Sequence, residues 1–156
     1  MRPGFGLEEG RLVSLIHRDH SIQLTAVQDI GKIVAALFAD RARFAGMALK
    51  IASDRGTGQE LEAAFSEAAG RSITYARFPD EVLAANADLG HMASSLEDGP
   101  LAEQVDLGLM REINPELVSL RSWLMGEGRE KLEEAAGVTI VPSASVTFDF
   151  VFSRLP

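Results

Sequence analysis

The fold of this chain is decided by residues 29–79, which read DIGKIVAALFADRARFAGMALKIASDRGTGQELEAAFSEAAGRSITYARFP. Apolar residues recur after Asp29 with the spacing of one helix face, at Ile30, Ile33, Val34, Leu37 and Phe38. Asp29 stands where an N-cap belongs, because its side-chain oxygen can accept a hydrogen bond from a free N–H of the first turn. The pattern therefore predicts an amphipathic helix from Asp29 and explains this carboxylate as a cap rather than as a catalytic group.

The rest of this stretch predicts a strand, a second helix and a second strand. We expect a strand over Ala48–Ala52 and then a helix, since Thr57 and Glu60 have the spacing of a capping box. Gly70 can end that helix in the left-handed conformation. Alternating β-branched and aromatic residues over Ile73–Phe78 predict the next strand. Strands that alternate with helices in this way indicate an α/β fold.

Weaker patterns flank this stretch on both sides. Two apolar segments separated by the polar residues 17–21 predict strand or irregular chain, turn, then strand. A third helix is expected to begin at Asp80 and to end near Asp98. Residues 101–124 have a helical pattern that breaks before Pro115, since proline cannot continue the hydrogen bonding of the preceding helix.

The C-terminal residues have a different character. Gly126–Gly128 indicates a hinge, and Arg129–Ala136 predicts a short charged helix. Strands are expected over Val138–Val141 and over residues 146–152, where apolar and polar residues alternate. We therefore expect a first unit and a tail, residues 1–125 and 126–156.

The composition excludes several classes of function. The chain has 156 residues, 46% of them hydrophobic, and this length suits one globular domain. Its net charge of −8 and its lack of clustered Lys and Arg argue against binding to nucleic acid or to an anionic membrane. The absence of cysteine excludes disulfides, thiolate metal sites and cysteine nucleophiles. Since there is neither a signal-peptide pattern nor an apolar run of about 20 residues, a cytoplasmic protein is expected.

Several short motifs along the chain form a recognisable set. They are Asp29 to Gly31, Arg43 to Gly46, Thr57 to Leu61, Arg71 to Tyr75, Arg2-Pro3 followed by Phe5, and Asn114 to Leu124. The set resembles the C-terminal half of the NmrA-like family, which belongs to the atypical short-chain dehydrogenase/reductases. The resemblance implies the C-terminal part of an NAD(P)-binding Rossmann fold with its small α/β substrate lobe. It also implies that the N-terminal Rossmann half, with the glycine-rich turn for the dinucleotide, is absent from this chain.

The same resemblance bears on cofactor, substrate and site residues. It implies that Pro3 and Phe5 line the nicotinamide side of a cleft. A full-length family member is expected to bind NAD(P) and a small-molecule substrate, whereas this chain alone is expected to bind no dinucleotide. The superfamily's Tyr-x-x-x-Lys pair is missing, because the only tyrosine, Tyr75, is followed four residues later by Pro79. Tyr75 is therefore interpreted as a packing residue of a strand, and no catalytic residue is assigned.

Glycine and histidine patterns elsewhere are interpreted as structural. The glycines of residues 4–10 have no preceding strand, so they indicate a flexible segment rather than a phosphate loop. His17 and His20 lie three residues apart, but a closed zinc site needs about four ligands, and a solvated turn explains them better. No metal site is assigned.

These observations support one main hypothesis and two others. The main hypothesis is a substrate-lobe portion of an NmrA-like NAD(P)-binding oxidoreductase-type protein, inactive on its own. The alternative is a non-catalytic module that senses the NAD(P) redox state or binds protein partners. A third hypothesis is a chain that completes its core by self-association, because missing neighbours would leave apolar surface exposed. Whether the chain is an enzyme is left open by its sequence.

Overall fold

The computed structural model describes residues 6–8 and 10–135. The chain divides into two units, each of which is built from separate segments. Among the described residues, unit 1 contains those up to Ile22, Gly56–Glu103 and those from Leu120 onward, and unit 2 contains Gln23–Arg55 and Gln104–Ser119. The predicted unit of residues 1–125 and tail of residues 126–156 stay a prediction, since much of that tail lies outside the described range.

Short strands and helices alternate along the described chain. Their order is β1 (Gly6–Glu8), β2 (Arg11–Ser14), β3 (Ser21–Leu24), α1 (Val27–Ala39), α2 (Arg41–Phe44), β4 (Asp54–Thr57), α3 (Gly58–Ala69), β5 (Thr74–Arg77), α4 (Asp80–Ala85), α5 (Ala87–Glu97), α6 (Leu107–Ile113), α7 (Leu120–Met125) and α8 (Glu127–Ala135). Strands β3 and β4 form a two-stranded sheet. The mixture confirms the expected α/β class. None of the helices in the described ranges is both long enough and apolar enough to cross a bilayer.

Unit 1 is built on a three-stranded sheet with the order β1-β2-β5. Strand β1 runs antiparallel to β2, and β2 runs parallel to β5 with Leu12 opposite Tyr75. The parallel pair places the carboxyl ends of both strands at one edge of the sheet. Leu15 and Phe78 leave the two strands at that edge and pack with Leu83 of α4 and Ala93 of α5 in a buried cluster. This cluster fixes α4 and α5 beside the carboxyl edge.

Unit 2 is organised around α1. Ile33 of this helix is completely buried, and it packs with Ile51, Ala52 and Met110 in the core of the unit. The predicted apolar face of α1 is therefore largely confirmed, although Phe38, assigned to the same face, is 58% exposed. The expected strand over Ala48–Ala52 is wrong, because β4 lies later in the chain and these residues are irregular apart from a single bridge. Their apolar pattern reports burial in the core rather than strand pairing.

Asp29 does not cap the first helix. Helix α1 begins at Val27, its N-cap is Ala26, and no side chain caps it. Asp29 is the third residue of the helix, in its first turn, and is completely buried. Its carboxylate accepts hydrogen bonds from Asn114 Nδ2 at 3.0 Å and from the backbone N–H of Val118 at 2.9 Å. It therefore fixes the segment after α6 against α1, a role that depends on partners distant in the sequence.

Local signals were more reliable for the second helix than for the third. Thr57 and Glu60 form the complete capping box at the start of α3, and Gly70 ends α3 with a φ of 62°. The predicted third helix is instead two helices, since α4 ends at Ala85 and Asn86 caps α5 by accepting the backbone N–H of Leu89. Asparagine favours this position because its short side chain binds the free backbone groups of a new helix.

The remaining predictions have mixed outcomes. The break before Pro115 is confirmed, because α6 ends at Ile113, and β5 confirms the strand predicted over Ile73–Phe78. The hinge predicted over Gly126–Gly128 is wrong beyond its first residue, since α8 already begins at Glu127. The strands predicted over Val138–Val141 and residues 146–152 lie outside the described residues.

Candidate functional site

A cavity of about 410 Å³, widely open to solvent, lies in unit 1 between α4 and α5, next to the end of β5. Its volume is in the lower part of the range of small-molecule sites. Its apolar wall consists of Leu83, Ala84, Ala87, Gly90 and Ala93. Its polar groups are Arg77, Asp80, His91, Ser94 and Glu97. The cavity therefore combines an apolar wall with a few convergent polar side chains.

Arg77 is the last residue of β5 and lies between two carboxylates. Its Nη1 donates to Asp80 Oδ1 at 2.5 Å, and its Nε donates to Glu97 Oε1 at 3.3 Å. The Arg77 side chain is 18% exposed and that of Asp80 is 87% exposed. Burial opposes the charge of Arg77, but the hydrogen bonds to Asp80 and Glu97 outweigh it and raise the pKa of the guanidinium. Arg77 is therefore a fixed cation in the wall of the cavity.

Glu97 is the last residue of α5, and its side chain is only 9% exposed. Its Oε1 accepts the backbone N–H of His17 at 2.6 Å, and its Oε2 accepts Arg77 Nη2 at 3.4 Å. Burial alone would raise the pKa of this carboxyl, but the His17 N–H and the Arg77 charge outweigh burial and lower it. Glu97 is thus an ionised carboxylate that joins the chain after β2 to α5.

His17 and His20 lie in an exposed turn near this carboxylate, as the sequence suggested. Their side chains are 57% and 46% exposed, with His17 Nε2 at 4.0 Å and His20 Nδ1 at 3.7 Å from Glu97 Oε1. The two rings meet edge to face at 5.8 Å. Within the described residues, no group of three or more His, Asp and Glu side chains is arranged to hold a metal ion.

Tyr75 is a packing residue, as expected from its strand. It is 6% exposed, and its O–H donates to the carbonyl oxygen of Ile16 at 2.7 Å. Burial raises the pKa of the phenol. Since a raised pKa holds the proton on the oxygen, the geometry gives Tyr75 a structural hydrogen bond rather than an acid's role. The two residues predicted to bind cofactor, Pro3 and Phe5, lie outside the described residues.

The glycine-containing turn before α3 does not fit the pyrophosphate of a dinucleotide. The strand-to-helix turn that contains glycines, Gly56 to Gly58 before α3, is occupied by its own capping box. Glu60 Oε2 accepts the Thr57 N–H at 2.7 Å, and Thr57 Oγ1 accepts the Glu60 N–H at 3.2 Å. A phosphate at this helix end would lose these donors and would meet the Glu60 carboxylate. Gly58 is explained by packing, because a Cβ there would lie 2.7 Å from the Tyr75 ring.

Sequence analysis missed the charged residues of the cavity. Arg77 has the position of a strand end and Asp80 that of a first helical residue, so both looked like ordinary surface residues. Glu97 follows Arg77 by 20 residues and meets it only because α4 and α5 fold back on β5. One signal could have indicated Arg77, namely its place at the carboxyl end of a strand in an α/β pattern, where ligands bind.

These features define an α/β protein with a ligand-sized cavity at the carboxyl edge of parallel strands. The model of the NmrA-like family matches residues 14–119, more than half of the chain, and the chain therefore belongs to the NmrA-like family. This family in general binds NAD(P). The matched residues contain Arg77, Asp80 and Glu97. No curated protein matches the chain.

Proposed function

We propose that this chain supplies the substrate-side lobe of an NmrA-like NAD(P)-binding protein of the oxidoreductase type. The cavity between α4 and α5 is its small-molecule site. One observation carries the proposal: the cavity lies at the carboxyl edge of the parallel strands β2 and β5, where open α/β sheets bind ligands. The family match supports it, because the matched residues span this edge and both helices.

The lobe binds and orients a ligand, and the hydride chemistry belongs to a bound NAD(P). Leu83 and Ala93 give the cavity an apolar wall that excludes water from one side of the ligand. Arg77 is held in place by Glu97, so its position does not depend on the ligand. The glycine-containing turn before α3 does not fit the dinucleotide, because its own capping box occupies the helix end. The proposal therefore includes that these 156 residues, taken alone, bind a small molecule without reducing it.

Backbone amide shifts of the isotope-labelled chain test the small-molecule site. Benzaldehyde and a substituted benzoquinone serve as two neutral small-molecule probes of the cavity. We expect at least one of them to shift the amides of Ala87, Gly90 and Ser94. Ala87→Leu fills the cavity and should abolish these shifts, whereas Ala85→Leu, on an exposed residue outside the lining, should preserve them. Shifts that survive Ala87→Leu, or that lie elsewhere, contradict the proposal.

A second candidate is the chain that self-associates, and the surface of α1 favours it. Val27 and Phe38 lie on the same face of this helix and are 76% and 58% exposed. Gly31 lies between them with open space around it. Such a face suits a second copy of the chain, and sedimentation velocity tests that partner. Phe38→Asp should convert a dimer to a monomer. Met125→Gln, at another exposed apolar residue, is the control and should leave the dimer intact. A monomeric wild-type chain contradicts this candidate.

A further inference from the structure

We infer that the cavity between α4 and α5 binds a small organic cation, a primary alkylammonium group on a short apolar chain. The inference rests on the proposed function, since it assigns a ligand class to the same cavity. Three observations support it: the net charge of the residues that line the cavity, the hydrogen bonds of Arg77 to two carboxylates, and the apolar wall.

The charge of the lining favours a cation. One guanidinium, that of Arg77, faces the two carboxylates of Asp80 and Glu97, and with neutral histidine this leaves a net charge of −1. His17 and His20, which approach Glu97 from outside, add no formal charge at neutral pH. The whole chain carries a net charge of −8, and this field also attracts cations.

The hydrogen bonds that Arg77 already makes to two carboxylates disfavour an anionic ligand. Its Nη1 donates to Asp80, and its Nε and Nη2 donate to Glu97. A carboxylate or phosphate bound to Arg77 would lie beside the two like charges of Asp80 and Glu97. Like charges at such distances disfavour each other in a partly buried site. An ammonium group instead finds the Asp80 carboxylate without breaking the Arg77–Glu97 pair.

The cavity also suits the rest of such a ligand. Ser94 lines the cavity, and its hydroxyl oxygen can accept a hydrogen bond from an ammonium N–H. Leu83, Ala84 and Ala87 form the wall against which an alkyl chain can pack. A volume of about 410 Å³ holds an amine with a chain of about five carbons.

The test compares three probes of equal chain length: pentylammonium, pentanoate and pentanol. Each is titrated into the isotope-labelled chain, and the amides of Ala87, Gly90 and Ser94 are followed. We expect pentylammonium to shift them with the highest affinity. Equal or tighter binding of pentanoate or pentanol overturns the cation inference but leaves the small-molecule site intact. If none of these probes binds, the inference fails; if benzaldehyde and the benzoquinone also fail to bind, the proposed function fails with it.

A matched pair of variants tests whether the charge of Asp80 contributes to pentylammonium binding. Asp80→Asn should weaken pentylammonium binding about two- to fivefold, the effect of a solvent-exposed ion pair. Glu81→Gln removes the same charge from a neighbouring exposed residue of α4 that does not line the cavity, and it should leave the affinity unchanged. Equal effects of the two substitutions would show general charge attraction and overturn the assignment to this cavity.

Discussion

Two carboxylates, one fully buried and one largely buried, each join segments that are far apart in the sequence. Asp29 in unit 2 binds Asn114 and the Val118 N–H, and Glu97 in unit 1 binds Arg77 and the His17 N–H. A buried carboxylate is stable only when hydrogen bonds replace its lost water. Asp29 and Glu97 therefore stabilise the fold only while these hydrogen-bond donors stay next to them.

The first prediction concerns Asp29. In Asp29→Asn one carboxylate oxygen becomes an NH₂ group that faces an N–H donor, so one buried hydrogen bond is lost and two donors oppose each other. We expect the free energy of unfolding to fall by about 2–3 kcal/mol, measured by urea denaturation. Asp40→Asn is the control, because Asp40 is exposed and asparagine can still accept the Arg43 N–H. Similar midpoints for wild type and Asp29→Asn would contradict this role.

The second prediction concerns the pH dependence that Glu97 confers. Its folded-state pKa lies below the ordinary value of 4.5. Its ionised form therefore stabilises the fold above pH 4.5, and this stability is lost as the pH falls through the folded pKa. Glu97→Gln should lower the free energy of unfolding by about 1–2 kcal/mol at neutral pH. The difference from wild type should shrink in acid.

Urea denaturation over a series of pH values measures this effect, with Glu81→Gln as the exposed control on α4. The control should follow the wild type at every pH. If the free energy of unfolding of Glu97→Gln is lower than that of the wild type by the same amount at neutral and acidic pH, the ionisation of Glu97 is not what stabilises the fold.

At the scale of elements, α3 and β5 are fitted together through one glycine. A Cβ on Gly58 would lie 2.7 Å from the ring of Tyr75. That ring has little freedom to move, because it is buried and its O–H binds the Ile16 carbonyl. Helix α3 can therefore approach the strand closely only while residue 58 has no side chain.

The third prediction compares two glycines in helices. Gly58→Ala should destabilise the protein by about 1–3 kcal/mol through overpacking against Tyr75. Gly31→Ala should stabilise it by about 0.5–1 kcal/mol, because alanine is the better helix former and nothing lies within 4 Å of the added Cβ. Thermal denaturation should therefore show a lower Tm for Gly58→Ala and a higher Tm for Gly31→Ala than for the wild type. A Gly58→Ala variant as stable as the wild type would contradict the close packing.

The elements that sequence predicted well are those whose signals are local. The Thr57–Glu60 box and Gly70 mark the ends of α3 by bonds and conformations within a few residues. Asp29 was misinterpreted because its partners, Asn114 and Val118, lie more than 80 residues away. The Ala48–Ala52 strand failed because a short apolar run reports burial and cannot distinguish a strand from buried irregular chain.

The candidate site was less predictable than the fold for the same physical reason. Arg77, Asp80 and Glu97 form no motif of fixed spacing, and each has an ordinary local role at the end or start of an element. They meet because the parallel pairing of β2 with β5 creates an edge on which α4 and α5 pack. Sequence analysis gave the family, which residues 14–119 confirm, but not the cavity.

At the scale of the whole molecule, the small-molecule cavity is distinct from the glycine turn at which a dinucleotide would be sought. Both lie in unit 1: the cavity between α4 and α5 is open, and the glycine turn before α3 is closed by Glu60. The net charge of −8 adds repulsion toward a polyanionic coenzyme. We therefore expect the chain of 156 residues to bind a small ligand but not NADPH.

The most direct test of this claim is a fluorescence titration of the purified chain with NADPH, on a sample whose fold is checked by circular dichroism. The account predicts no saturable change in NADPH emission up to about 1 mM, which corresponds to a binding free energy weaker than about −4 kcal/mol. Saturable binding with a micromolar Kd would contradict it, because the glycine turn before α3, which lies within the described residues, is closed by Glu60.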